Sequence, residues 1–171
     1  YYLSSKGDYD VFILKLDSEG AFVYAKSMGG TEPEEAKGIA VDAAGNVYVA
    51  GTFQFTADFD PSGAVQNLNS FGNSVDTFLA KYDSDGNFIW VKQMGGTSNE
   101  GIVNLLVDPS GNAYLHGAFL GMGTFGSTVL DVTQGEVFLT KIDASGNFVW
   151  TGQLKCHFPR TINLIGNDIL I

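Results

Sequence analysis

Residues 76–96 read DTFLAKYDSDGNFIWVKQMGG, and this stretch decides the fold. It occurs three times. An earlier copy at 10–30 reads DVFILKLDSEGAFVYAKSMGG, and a later one at 136–156 reads EVFLTKIDASGNFVWTGQLKC. The copies start 66 and 60 residues apart. Self-similarity at such a period marks a repeat architecture. Each copy has two runs rich in β-branched and aromatic residues, as strands prefer. Between the runs lies an Asp-x-x-Gly turn. Asp bonds backbone two residues on, and Gly supplies a positive φ. Each copy therefore reads as a β-hairpin.

A second hairpin lies between these copies. It reads GIAVDAAGNVYVAGTF at 38–53 and VNLLVDPSGNAYLHGAF at 103–119, with a shortened copy, INLIGNDILI, at 162–171. A weaker element precedes each main copy: LSSKGDYD from Leu3, LNSFGNSVD from Leu68 and LDVTQGE from Leu130. One period thus holds four strands, expected at 39–42, 47–53, 77–83 and 87–94, and no segment reads as a helix. In the first main copy Phe12, Leu14 and Leu16 alternate with Val11 and Ile13. Such a two-sided apolar strand belongs between packed sheets. The expected class is all-β, a β-propeller of four-stranded blades of about 60–66 residues. Blades are expected at 38–96 and 102–156, with half-blades at 1–30 and 161–171. That is about three blades in a permuted frame, split at both ends. Closed propellers have about 4–8 blades. Either the chain is part of a longer propeller, or chains associate and complete each other's split blades. Both readings predict edges that need cover.

Composition narrows the partners. The formal net charge is −10, from 9 basic and 19 acidic residues. Such a surface repels phosphate backbones, so nucleic acid is excluded as a partner. No stretch is long and apolar enough for membrane insertion as a helix. One cysteine, Cys156, rules out an internal disulfide. No leader is visible, and the chain starts at Tyr1 rather than Met, which reads as a fragment or a processed product.

The pattern G-I-A-V-D-x-x-G-N-V-Y-V-x-G at 38–51, followed by D-x-F-L-x-K-x-D-x-x-G-N-F-x-W-x-K-x-x-G-G at 76–96, resembles the bacterial β-propeller repeat family known as SBBP. The resemblance covers nearly the whole chain. It implies a propeller on secreted or surface-associated bacterial proteins, with no enzymatic activity and no cofactor. The third copy departs from the pattern, with Lys155 and Cys156 in place of the Gly-Gly.

Candidate site residues follow from the propeller layout, in which the second-to-third and fourth-to-first strand connections emerge on one face. That face would gather Glu34 and Glu35, the equivalent Asn99 and Glu100, and Asp58 and Asp60 of the long connection. The bland reading is a solvated acidic rim. Asp58 and Asp60 could instead hold a cation or a basic side chain. Phe53, Phe55, Phe59, Phe71, Met122 and Phe125 fall in the same connections. They could stack on a sugar, while the bland reading is that they pin the connection to the blade below; Phe125 is taken as the candidate ligand-binding residue among them.

Other residues read as structural. The turn at 83–87 comes closest to a calcium run, but no bidentate Glu follows it, so no metal is assigned. Lys15, Lys81 and Lys141 precede Asp17, Asp83 and Asp143 by two residues, which predicts a structural pair at the end of the third strand. Trp90 and Trp150 share a repeat position and read as blade-to-blade core. His116, His157 and Cys156 lack the spacing of a zinc site or a triad. An enzyme would need polar residues at the start of the first strand in each blade, where Ile39 and Val103 or Leu105 stand. The leading expectation is a non-enzymatic binding or adhesion module taking a protein or glycan on the loop face. The alternatives are a structural spacer and, more remotely, a propeller lyase or hydrolase.

Overall fold

A computed structural model describes residues 2–154, 163–165 and 168–170. The protein is all-β, and among the described residues only Phe71–Asn73 forms a 3-10 turn. Strands β1 (Val11–Leu16) and β2 (Phe22–Gly30) form the first hairpin. Strands β3 (Glu35–Val41) and β4 (Val47–Gln54) form the next. The short β5 (Thr56–Asp58) and β6 (Asn67–Asn69) follow, then β7 (Val75–Tyr82) and β8 (Phe88–Gly96). The following repeat is built from β9 (Glu100–Val107), β10 (Ala113–Phe125), β11 (Thr128–Ile142) and β12 (Phe148–Leu154). A last hairpin pairs β13 (Asn163–Ile165) with β14 (Asp168–Leu170).

Two four-stranded antiparallel units result, ordered β3-β4-β7-β8 and β9-β10-β11-β12, and they form a curled, propeller-like arrangement. The anticipated strands are present, each extended or trimmed by a few residues. The Asp-x-x-Gly turns form as expected. Gly20, Gly45, Gly86, Gly111 and Gly146 have φ between 78° and 84°. Each Asp carbonyl accepts the glycine amide. In the turn at 83–87, the Asp83 carboxylate accepts the amides of Asp85 and Asn87 and the Asn87 side chain, so protein donors already engage both oxygens.

The long connections are not loops. β5 and β6 make a hairpin that reaches back and pairs with the end of β2, setting Asp58 opposite Gly29 and Ala57 opposite Gly30. In the second unit the far ends of β10 and β11 do the same, setting Thr124 opposite Gly95 and Gly123 opposite Gly96. Each unit thus lays a strap over the fourth strand of the one before it.

Each strap contributes to an aromatic trio. Phe53, Phe59 and Phe78 meet with ring centroids 4.6–6.4 Å apart. Phe119, Phe125 and Phe138 repeat the arrangement at 4.7–6.4 Å. All six rings are buried. Edge-to-face and tilted pairs at this range contribute about 0.5–1.5 kcal/mol each beyond area burial.

Strand β7 is buried on both faces, as a strand between packed sheets should be. Strand β1, from which that burial was anticipated, is not. Val11 and Ile13 are buried, but Phe12, Leu14 and Leu16 are exposed. Its outer edge has no strand partner among the described residues.

Candidate functional site: the junction between repeats

The chemistry of the chain concentrates where a strap crosses the Gly-Gly end of the preceding strand. The local sequence is Gly-Gly-Thr-x-x-Glu, GGTEPE at 29–34 and GGTSNE at 95–100. The second glycine is required by close approach. A β-carbon on Gly30 would fall 2.0 Å from the Thr56 carbonyl oxygen, and one on Gly96 would fall 1.8 Å from that of Met122. The first glycine clears space for two carboxyl groups. A β-carbon on Gly29 would lie 2.4 Å from Glu34 Oε2 and 2.7 Å from Asp10 Cγ. On Gly95 it would lie 2.6 Å from Asp76 Cγ.

Glu34 and Glu100 are therefore not a solvated rim. They are 3% and 5% exposed. One oxygen of each accepts an amide, Gly30 N–H at 3.0 Å and Gly96 N–H at 3.2 Å. The other oxygen of each is buried and faces no donor among the described residues. Burial pushes the Glu34 carboxyl up to about 7, with neighbouring Asp10 adding to the rise. Burial and the adjacent Asp76 push Glu100 up to about 8. Asp76 is raised too, by burial, although it accepts hydrogen bonds from Gln93, Phe71 N–H and Ser74. The buried acids thus stand where β3 and β9 begin, Glu34 just before Glu35 and Glu100 as the first residue of β9.

The remaining candidates divide. Asp58 joins Glu34 at the first junction, where it accepts a bond from Lys6 Nζ at 3.2 Å. The basic partner anticipated for it is therefore a side chain of this chain. Burial alone would raise Asp58. The amides of Gln66 and Asp60, with Lys6, outweigh it and hold the carboxyl below its usual range. Asp60 caps the following turn by accepting Ser62 N–H. Glu35 is exposed and paired with Lys37. Asn99 belongs to the second junction, accepting Val75 N–H. Phe125 is fully buried in its trio, so it offers no surface for stacking on a sugar. Asp10, Asp76 and the paired glycines carry no site expectation from the sequence; recurrence is their only signal there, the aspartates opening two main copies and the glycines belonging to Gly-Gly-Thr-x-x-Glu.

A second set of contacts locks neighbouring units at their other end. Lys81 does not pair with Asp83, which is turned into its own turn. Instead Lys81 donates to Ala144 O at 3.0 Å, lies 3.7 Å from Asp42 and sits 4.8 Å over the Tyr48 ring. Lys15 likewise donates to Ser84 O in the next unit's turn. Trp90 packs on Tyr48 and donates Nε1–H to Ala144 O. Tyr48 donates to Gly111 O. Trp90 thus serves the junction, as its repeat position suggested, whereas Trp150 is 39% exposed. His116 is buried on β10. Cys156 and His157 lie outside the described residues.

No family model matches the chain. It is 30% identical over 164 residues to the regulatory protein FlaEY of Caulobacter vibrioides, a match that spans 95% of this chain and 17% of that protein. It is 24% identical over 115 residues to the uncharacterized WD repeat-containing protein L264 of Acanthamoeba polyphaga mimivirus. That match spans 66% of this chain and 8% of the viral protein. The chain is therefore similar to small parts of much longer proteins, one of them named for its repeats.

Proposed function

We propose that this chain is a run of β-propeller blades acting as a non-enzymatic binding module, with a protein ligand taken on the strap face. The propeller reading is supported by four-stranded units stacked in repeat and by the WD-repeat name of the viral relative, since WD repeats build propeller blades. It takes the chain as about three blades' worth of strands. The SBBP-like pattern supports placing the parent protein outside the bacterial cell or on its surface.

One observation carries the binding reading. The straps and their flanks display Phe55, Val65, Phe71, Leu120, Met122 and Val129, each 42–71% exposed. Of the repeated charged and aromatic residues, Glu34, Glu100, Lys81 and Trp90 are consumed between the units. Exposed apolar side chains on both straps support an interaction surface there. Four of the six are aliphatic or methionine side chains rather than the flat rings on which a sugar stacks, which favours a protein ligand.

A photo-crosslinking residue at position 122 tests this, with a control at exposed Val149 on β12. Incubation with cell-surface protein extracts should give a discrete adduct from position 122 and none from position 149. Equal or absent labelling at both positions favours a structural spacer. A glycan-array hit that survives Met122→Lys would overturn the protein reading.

A further inference from the structure

Three main hairpins carry an equivalent phenylalanine: Phe12, Phe78 and Phe138. Two of them are fully buried, and Phe12 is 63% exposed. The difference lies in what crosses them. Phe78 stands opposite Gly51 of β4, and Phe138 opposite Gly117 of β10. A β-carbon on Gly51 would come 2.9 Å from the Phe78 ring, and one on Gly117 would come 2.7 Å from that of Phe138. The same strand and the strap that continues it then supply the other two rings of each trio. The sequences are GTFQFTADF at 51–59 and GAFLGMGTF at 117–125. Both read Gly-x-Phe-x5-Phe. The glycine makes room for the third-strand ring, and the two phenylalanines close on it.

Strand β1 repeats the receiving half of this arrangement, and no strand among the described residues fills it. Its outer edge corresponds to the edge of β7 that pairs with β4. The neighbouring surface agrees. Ile39 of β3 is 62% exposed, whereas Leu105, at the same repeat position in β9, is 5% exposed. In β9 that residue is covered by the preceding unit, with Gly38 packed against it. Between β1 and β3 runs an apolar groove lined by Ile13, Leu14, Leu16, Ile39 and Val41.

We propose that the outer edge of β1 is a docking site for a β-strand with the spacing Gly-x-Phe-x5-Phe, drawn from a further repeat of this protein's own type. Its glycine sits over Phe12, and its two phenylalanines complete a third trio. An intact second copy of this chain is not the occupant, because both of its Gly-x-Phe-x5-Phe segments are already inserted in their own units. The register follows from β4 on β7, where Tyr48 stands opposite Lys81. Lys15 therefore faces the aromatic residue three places before the glycine. Main-chain pairing supplies affinity in such strand addition, and the side-chain pockets supply specificity.

The test titrates a labelled peptide copying residues 44–60 (AGNVYVAGTFQFTADFD) into the full chain carrying 4-cyanophenylalanine at position 12. Saturable one-to-one binding with a change in the fluorescence of that residue is expected. Alanine at both peptide phenylalanines, or at the peptide glycine, should each weaken binding at least tenfold. Phe12→Ala in the chain should do the same without unfolding it, since Phe12 is exposed. Absence of binding overturns the proposal. Equal binding of all three peptides also overturns it, because that is unselective edge pairing. So does sedimentation showing chains already dimeric through this edge and closed to the peptide.

Discussion

Phe55 stands out among single residues, because it has φ 57°. Its equivalent in the next strap is Gly121, at φ 69°. A side chain in the left-handed region costs about 1–2 kcal/mol, part of which a glycine gives back through its greater freedom when unfolded. Ser70 holds the backbone there, accepting and donating through its side chain and amide. Phe55→Gly should therefore stabilise the chain by about 0.5–1 kcal/mol, read as a higher urea midpoint. Phe55→Ala, which keeps the β-carbon, should give no gain. The buried acids make the second prediction. Their folded-state values, about 7 for Glu34 and about 8 for Glu100, lie above the ordinary carboxyl value. Between that value and pH 8 the folded chain binds more protons than the unfolded chain, so stability falls as pH rises. Groups facing Glu34 are Asp10, Lys6 and Glu32, and Asp76 faces Glu100. Urea midpoints should decline from pH 5 to pH 9. The Glu34→Gln, Glu100→Gln double variant should flatten that decline, and an unchanged slope would refute the assignment.

Among the elements, the straps set the behaviour of the junctions. Their attachment needs glycine at Gly30 and Gly96, where the obstacle to any side chain is a backbone carbonyl. Gly96→Ala should detach the β10–β11 strap or displace it, at a cost of about 1–3 kcal/mol by the scale of overpacked sites. Hydrogen exchange should quicken at residues 121–132 ahead of the rest of β10. Uniform exchange across β10 would mean that the strap is not a separable element. The straps were hard to read from sequence because β5 and β6 are three residues each, too short for alternation to register. Their apolar residues pack as expected at Phe53 and Phe59, whereas Phe55, Phe71 and Met122, expected to pack too, are 42–55% exposed. Phe125 was misread because nothing local distinguishes a ring facing its own sheet from one facing solvent.

At the scale of the whole molecule, the units are joined by the same few bonds at each junction. Lys81 concentrates three of them in a buried place. Removing one partner of a buried ion pair leaves the other charge uncompensated, at about 3–5 kcal/mol. Lys81→Met should therefore cost about 3 kcal/mol. Lys141 occupies the same repeat position and lies 5.1 Å over the Tyr114 ring. Lys141→Met should cost less than half as much, because among the described residues Lys141 meets the Tyr114 ring of its own unit and no turn carbonyl. Chemical denaturation of the two variants decides between this and a purely intra-unit role, for which the losses would be equal.

The sequence by itself determined the repeat, its four strands, its Asp-x-x-Gly turns and the positions that recur. Those features are local: alternation within a strand and turn chemistry within five residues need no knowledge of neighbours. Only the tertiary structure decided what the recurring residues touch. Gly-Gly is a landing place for a strap, Glu34 and Glu100 are buried rather than a rim, and Lys81 reaches Asp42 and Ala144 rather than Asp83. Each of these depends on the approach of a segment some 20 to 60 residues away. Burial and partner choice are properties of that approach, which spacing along the chain does not encode.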